Sequence, residues 1–176
     1  SQRREPRAVL KDVFGFDSFR SFQAEAIAHV IGGGHALILM PTGGGKSLCY
    51  QIPALCRPGT AVVVSPLIAL MQDQVEALRQ RGVRAAAWNS SSSEDEIDAI
   101  VDAIEAETLD LLYVAPERLM MPAFLERVIG RVKGAPTVLR TAMGATKIRM
   151  EKACSCPGSA SRASPRSTPT RRASSR

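Results

Sequence analysis

No apolar run in the 176 residues approaches the roughly 20 that a bilayer-spanning helix needs. Residues 1–7 are polar and charged, and no apolar signal core follows them. Both absences predict a cytoplasmic chain with no membrane partner. Cysteine is scarce: only Cys49, Cys56, Cys154 and Cys156 are present. The first two sit in apolar stretches and read as free buried thiols. The pair Cys154-Ser155-Cys156 lacks the two-residue gap of a zinc knuckle, and no histidine accompanies it. There is no internal repeat. With 45% hydrophobic and 23% charged residues, the composition excludes a wholly disordered, collagen-like or disulfide-framework chain.

The net charge of +6 is unevenly placed. Residues 129–176 carry eleven Lys and Arg against one acid, Glu151, for a net +10. Residues 1–128 carry twelve bases and sixteen acids, for a net −4. The chain therefore divides into a mildly acidic, patterned body over 1–128 and a basic tail over 129–176. Residues 159–176 are almost entirely Ser, Arg, Thr, Pro and Ala. Such a segment buries too little apolar surface to offset the entropy of ordering, and is expected to be disordered.

The body alternates short apolar runs with amphipathic stretches. Helices are predicted over 22–31, 47–55 (interrupted near Pro53), 68–81, from about 94 onward and over 122–129. Strands are predicted over 35–40, 60–65, 83–88 and 109–114. Ser90 to Ser93 offer N-caps, with Glu94, Asp95 and Glu96 in the first turn, where the helix dipole favours acids. Near-continuous apolar strands separated by helices predict an α/β fold, a parallel sheet covered on both faces.

Met40-Pro41-Thr42-Gly43-Gly44-Gly45-Lys46-Ser47 follows a predicted strand and opens a predicted helix. In that setting the string reads as a phosphate-binding P-loop. The glycines allow a tight fold that aims backbone N–H groups at phosphate oxygens. Lys46 supplies a point charge for the β- and γ-phosphates, and the Ser47 hydroxyl a ligand for Mg²⁺. The generic pattern begins with Gly, where this chain has Met40.

Three further segments flank the loop. Phe14-Gly15-Phe16-Asp17-Ser18-Phe19-Arg20-Ser21-Phe22-Gln23 lies upstream, with a glutamine amide able to pair with adenine and rings able to cover its face. Val64-Ser65-Pro66-Leu67 leads from a strand end into a helix that carries Gln74, a geometry suited to a phosphodiester. Tyr113-Val114-Ala115-Pro116-Glu117-Arg118-Leu119 leaves another strand at its C-terminal end, the edge where open α/β sheets gather ligands. Alone, the first reads more simply as core aromatics near a helix start, and the other two are equally ordinary strand-to-helix turns.

Together, in this order, they resemble the first RecA-like domain of RecQ-type ATP-dependent DNA helicases of superfamily 2. The resemblance covers about residues 9–128, and the family's own P-loop begins M-P-T-G-G-G-K-S. It implies a P-loop NTPase (RecA-like) parallel sheet with flanking helices. It also implies that Phe16, Arg20 and Gln23 recognise adenine. Thr42, Gly43, Gly44, Gly45, Lys46 and Ser47 would hold ATP and Mg²⁺, with Lys46 the catalytic residue. Ser65, Pro66, Leu67, Gln74, Asn89, Ser90, Pro116, Glu117 and Arg118 would line the DNA side. The implied activity is 3′ to 5′ unwinding of single-stranded or forked DNA in repair and recombination, in a bacterial, nucleoid-associated setting. Protein partners are not implied.

The resemblance breaks where the family carries its D-E-A-H box. That window here reads Leu139-Arg140-Thr141-Ala142-Met143-Gly144, without a carboxylate. Carboxylates there hold Mg²⁺ and position the attacking water. The family's aromatic-rich loop and second RecA-like domain have no match either. The expected form is an incomplete ATP-binding portion that binds ATP weakly and does not hydrolyse it. Loss of that strand is expected to expose a sheet edge and apolar surface. Two origins are open, a truncated helicase with a new tail or a change of reading frame near residue 130. The abrupt switch to Ser/Arg/Pro/Ala-rich sequence favours the second. A non-catalytic nucleic-acid-binding module acting through the tail is the alternative function. A metabolic P-loop kinase leaves the flanking segments unexplained.

Overall fold

The computed structural model describes residues 4–20, 22–41, 43–129, 137–142 and 145–150. Helix α1 (Pro6–Phe14) has no counterpart in the periodicity reading, and its signals are local. Pro6 stands in the first turn, the Glu5 carboxylate accepts the Ala8 N–H at 2.9 Å, and Gly15 closes the helix at φ 73°. There follow α2 (Gln23–Ile31), β1 (Ala36–Leu39), α3 (Leu48–Cys56), β2 (Ala61–Val64), α4 (Ile68–Gln80) and β3 (Ala85–Trp88). Then come α5 (Glu94–Glu105), β4 (Leu111–Val114), α6 (Pro116–Leu119) and α7 (Pro122–Phe124), which runs into a π-helical turn at Leu125–Ile129. Two strands end the described chain, β5 (Thr137–Ala142) and β6 (Ala145–Met150).

Expected and observed elements agree within about two residues through β4. Ser93 is the cap of α5, in a full capping box with Glu96. One expectation is corrected: Pro53 does not interrupt its helix but lies inside α3. Every residue of α3 from Cys49 to Cys56 is buried. The tertiary contacts of a wholly buried helix offset the hydrogen bond that a mid-helix proline removes.

The strands form one sheet in the order β1-β6-β5-β2-β4-β3. Strands β2, β4, β3 and β5 pair in parallel, and β6 is antiparallel to both β1 and β5. Hence β1 points the same way as β5, β2, β4 and β3. Val64, Val114 and Trp88 stand at one level of the ladder. The segments leaving β1, β2, β3 and β4 therefore emerge along one edge of the sheet.

Side chains of β2 and β4 alternate between two cores. Val63, Leu111 and Tyr113 join the face packed by α1 to α4, and Val62, Leu112 and Val114 join the face packed by α5 and α7. Trp88 and Phe124 meet edge to face there, with ring centroids 5.2 Å apart. At β1 the second face is open: Ile38 is buried, whereas Leu37 and Leu39 are 65% and 66% exposed.

The region after residue 128 departs from expectation. The sequence reading treats 129–176 as an unpatterned tail, yet 137–142 and 145–150 are strands inside the sheet. An unpaired strand edge offers a row of N–H and C=O groups, and Thr137-Val138-Leu139 has the β-branched, apolar character that pairs with it. The disorder expected over 159–176 and the Cys154-Cys156 pair lie outside the described residues.

Candidate functional site

The loop from Met40 to Ser47 joins β1 to α3. Gly43 and Gly45 have φ of 80° and 78°, a region open to glycine and strained for other residues. The Gly44 N–H donates to the Pro41 carbonyl at 3.1 Å. Lys46 Nζ donates to the carbonyls of Met40 at 2.6 Å and Pro41 at 3.1 Å. An ammonium has three protons, so two bind the loop's own backbone and the third is left for a phosphate oxygen. Ser47 caps α3 without a side-chain hydrogen bond to the helix backbone. Thr42 lies outside the described residues.

Gln23 is in contact with this loop. It is 1% exposed, and its Nε2 donates to the carbonyls of Gly45 at 3.1 Å and Gly44 at 3.5 Å. Its Oε1 accepts the Arg20 N–H at 2.8 Å. The amide ties the upstream segment to the phosphate loop. The fit is close: a Cβ at Gly45 would fall 2.4 Å from Gln23 Nε2. Phe16 is 45% exposed, and the Arg20 side chain is also exposed.

The expected DNA-side residues lie where the strands end, apart from Gln74 in the middle of α4, but they divide by burial. Ser65 is buried, and its Oγ accepts the Leu67 N–H at 3.4 Å, a turn that aims the chain into α4. Asn89 is buried as well, with Oδ1 accepting the Ser91 N–H at 2.8 Å and the Ser91 hydroxyl at 2.6 Å. These two shape their loops. Pro66, Leu67, Ser90 and Glu117 are exposed, while Gln74, Pro116 and Arg118 are half-buried.

Sequence reasoning missed a set of buried polar side chains behind the loop. Tyr50 and Gln51 on α3 meet Tyr113 on β4 and Gln74 on α4. Burial pushes the hydroxyl pKa of Tyr50 and of Tyr113 up, so both stay neutral at ordinary pH. The signal was visible in the chain: Tyr50-Gln51 interrupts the otherwise apolar stretch from Leu48 to Cys56. Cys49 and Cys56 are free and buried, their thiols pushed up to about 11 by desolvation.

The family described as DEAD/DEAH box helicase matches residues 20–135, well over half of the chain. The chain belongs to the DEAD/DEAH box helicase family. Within it, the chain is similar to ATP-dependent DNA helicase RecQ of Haemophilus influenzae, 46% identical over 121 residues, covering 69% of this chain and 20% of that protein. RecQ of Bacillus subtilis is 45% identical over 125 residues, covering 70% of this chain and 21% of that protein. Helicase Q1 of Rattus norvegicus is 43% identical over 113 residues, covering 63% and 18%. The chain thus spans about one fifth of the length of these relatives. Among solved structures, the DUF1998 helicase MrfA bound to DNA and AMPPNP aligns with a TM-score of 0.59 at 20% identity, covering 73% of this chain and 20% of that one. That likeness supports the RecA-like fold. The helicase match ends at residue 135, just before β5.

The helicase family implies ATP, with Mg²⁺ as its usual companion. The positive-φ glycines and the third proton of Lys46 fit a triphosphate. A divalent cation finds less: among the described residues no group of three or more His, Cys, Asp or Glu is gathered as a metal cage would need. Ser47 Oγ is the one ligand named for it, so phosphate oxygens and water would complete its shell. No described helix is long and apolar enough to cross a membrane.

Proposed function

We propose that this chain is the nucleotide-binding portion of a RecQ-type ATP-dependent DNA helicase, and that by itself it binds ATP without hydrolysing it. The observation carrying the reading is the common direction of β1, β2, β3 and β4, which sets the Lys46 loop and the segments after Val64, Trp88 and Val114 along one sheet edge. In this reading Gly43, Gly45 and Lys46 hold the triphosphate, and Phe16 lies against the base. Ser47 reaches the Mg²⁺ that ATP brings, which when bound neutralises phosphate charge. Pro66, Leu67, Gln74, Ser90, Pro116, Glu117 and Arg118 line the path of a DNA strand, single-stranded or forked, while Ser65 and Asn89 hold the two loops in shape.

Lack of hydrolysis follows from β5. It lies beside β2 and parallel to it, with Arg140 level with Val64. Its C-terminal residues Arg140-Thr141-Ala142 thus reach the loop edge without a carboxylate. β5 therefore brings no carboxylate to orient an attacking water or to hold the cation. Phosphate release from the purified chain, measured with Mg²⁺-ATP and single-stranded DNA, should equal that of a Lys46→Ala variant. ATP affinity measured by calorimetry should be at least tenfold weaker in that variant, the cost of one charge-assisted phosphate contact being about 1.5–3 kcal/mol. DNA-stimulated turnover by the parent chain would refute the inactive form; equal ATP affinity of parent and variant would refute the site.

A further inference from the structure

The outer strands of the sheet, β3 and β1, are finished differently. In β3 the carbonyls of Arg84 and Trp88 accept from β4 and the residue after it, so Ala85 and Ala87 turn their peptide groups outward. Both outward carbonyls are taken by the chain's own side chains. Ala85 accepts from Arg79 Nε at 2.8 Å, and Ala87 from the Ser92 hydroxyl at 3.4 Å. Side chains placed in this way keep other strands off an edge. β1 has β6 on one side and, among the described residues, nothing hydrogen-bonded to the other. The strand is uncharged, and its Leu37 and Leu39 are exposed. A free apolar edge is a template for another strand.

We propose that β1 pairs antiparallel with β1 of a second copy of this chain, about a two-fold axis at Ile38. An axis normal to the sheet keeps the open faces of both copies on one side. Residues opposite each other in a ladder share a face, so only odd can stand against odd and even against even. Two such registers overlap three of the four strand residues, one centred on Leu37 and one on Ile38. The first sets Leu39 against His35. The second sets each Leu37 against Leu39 of the other copy, so that all four exposed leucines join in one patch. The groove beside β1, about 480 Å³, fits the same axis. It is walled by Phe22, Glu25 and His29 of α2. His29 Nε2 lies 2.9 Å from the His35 carbonyl at the start of β1, so α2 runs back along the strand. The axis reverses one α2 against the other and brings the exposed Glu25 carboxylate of each copy toward the exposed His29 imidazole of its mate. The pairing uses both free edges, so the assembly closes at two. A seam of one short strand is small, so it forms at high protein concentration and leaves the dilute chain monomeric.

The test uses the full chain carrying Cys154→Ser and Cys156→Ser, which removes the tail thiols. Sedimentation equilibrium at rising protein concentration should show monomer and dimer and nothing larger. Leu37→Lys combined with Leu39→Lys sets like charges opposite each other and should weaken the dimer about tenfold or more. Both positions are exposed, so the fold should survive, as circular dichroism checks. Ala99→Lys, beside the guarded β3 edge, should leave association unchanged. Disulfide formation reads the register. A mixture of Leu37→Cys and Leu39→Cys chains should cross-link at least about fivefold faster than either alone, because only the mixed pair stands directly opposite. A parent that stays monomeric up to its solubility limit overturns the proposal and leaves the edge to another occupant. Association untouched by the two lysines overturns it too, as does growth beyond the dimer. Equal cross-linking in the mixture and in a single variant overturns the register, and with it the two-fold pairing.

Discussion

The middle of the sheet and its β1 edge are covered to different extents. Around β2 and β4 every strand residue is buried, with one core on each face. At β1 only one face is packed, and Leu37 and Leu39 stand exposed on the other. The phosphate loop is borne by the poorly covered end. The rigid element behind that loop is α3, buried over residues 49–56 and packed against α1 and α2. The site therefore takes its order from helices on one face, not from a sheet buried on both.

The largest effect that would test this contrast is a paired truncation. Leu112→Ala removes a fully buried side chain from β4 and should cost about 2–5 kcal/mol, whereas Leu37→Ala on β1 should stay within about 0.5 kcal/mol. Urea unfolding of both variants reads the difference. Similar costs would mean that β1 is covered on both sides in solution.

Gly45→Ala probes the loop itself. A side chain at φ 78°, pressed to 2.4 Å from Gln23 Nε2, should cost about 1 kcal/mol or more and lower ATP-analogue affinity. Gln23→Ala in the same background should recover part of the stability by making space. No recovery in the double variant would show that backbone strain alone sets the cost.

The smallest expected effect concerns α3 and pH. Desolvation raises the thiols of Cys49 and Cys56 from 9.0 to about 11. A folded-state pKa above the unfolded value means that the stability held by these neutral thiols is complete below pH 9.0 and is lost as pH climbs to about 11. The urea midpoint should fall over that window, and Cys49→Ala should make the fall shallower. Equal slopes would mean that the thiol ionises as readily in the folded chain as in the unfolded one.

Much of the candidate site was legible in the chain, because its signals are local. The order Met40 to Ser47 after a strand and before a helix is a short-range pattern, as is the Ser93–Glu96 box that starts α5. Gln23 was singled out in sequence as an adenine-recognising residue, with no sign of its contact with the loop. Its hold on the Gly44 and Gly45 carbonyls depends on α2 folding against α3, which no local pattern states. Ser65 and Asn89 show the same limit, since a hydroxyl or amide at a strand end serves its own loop as readily as a ligand. Tyr50, Gln51 and Tyr113 went unnoticed because two are adjacent and the third is 62 residues from Gln51.

By itself the sequence determined the elements from α2 through β4, the parallel α/β class and the phosphate loop, because hydrophobic period, capping and glycine placement act within a few residues. It also determined that the window from Leu139 to Gly144 holds no carboxylate. Tertiary structure alone decided that Pro53 stays inside a helix and that 137–142 and 145–150 pair within the sheet. It alone also decided that a buried polar path runs from Tyr50 through Tyr113 and Gln51 to Gln74. Each of these depends on which distant groups a residue meets, and burial sets the cost of leaving those groups unpaired.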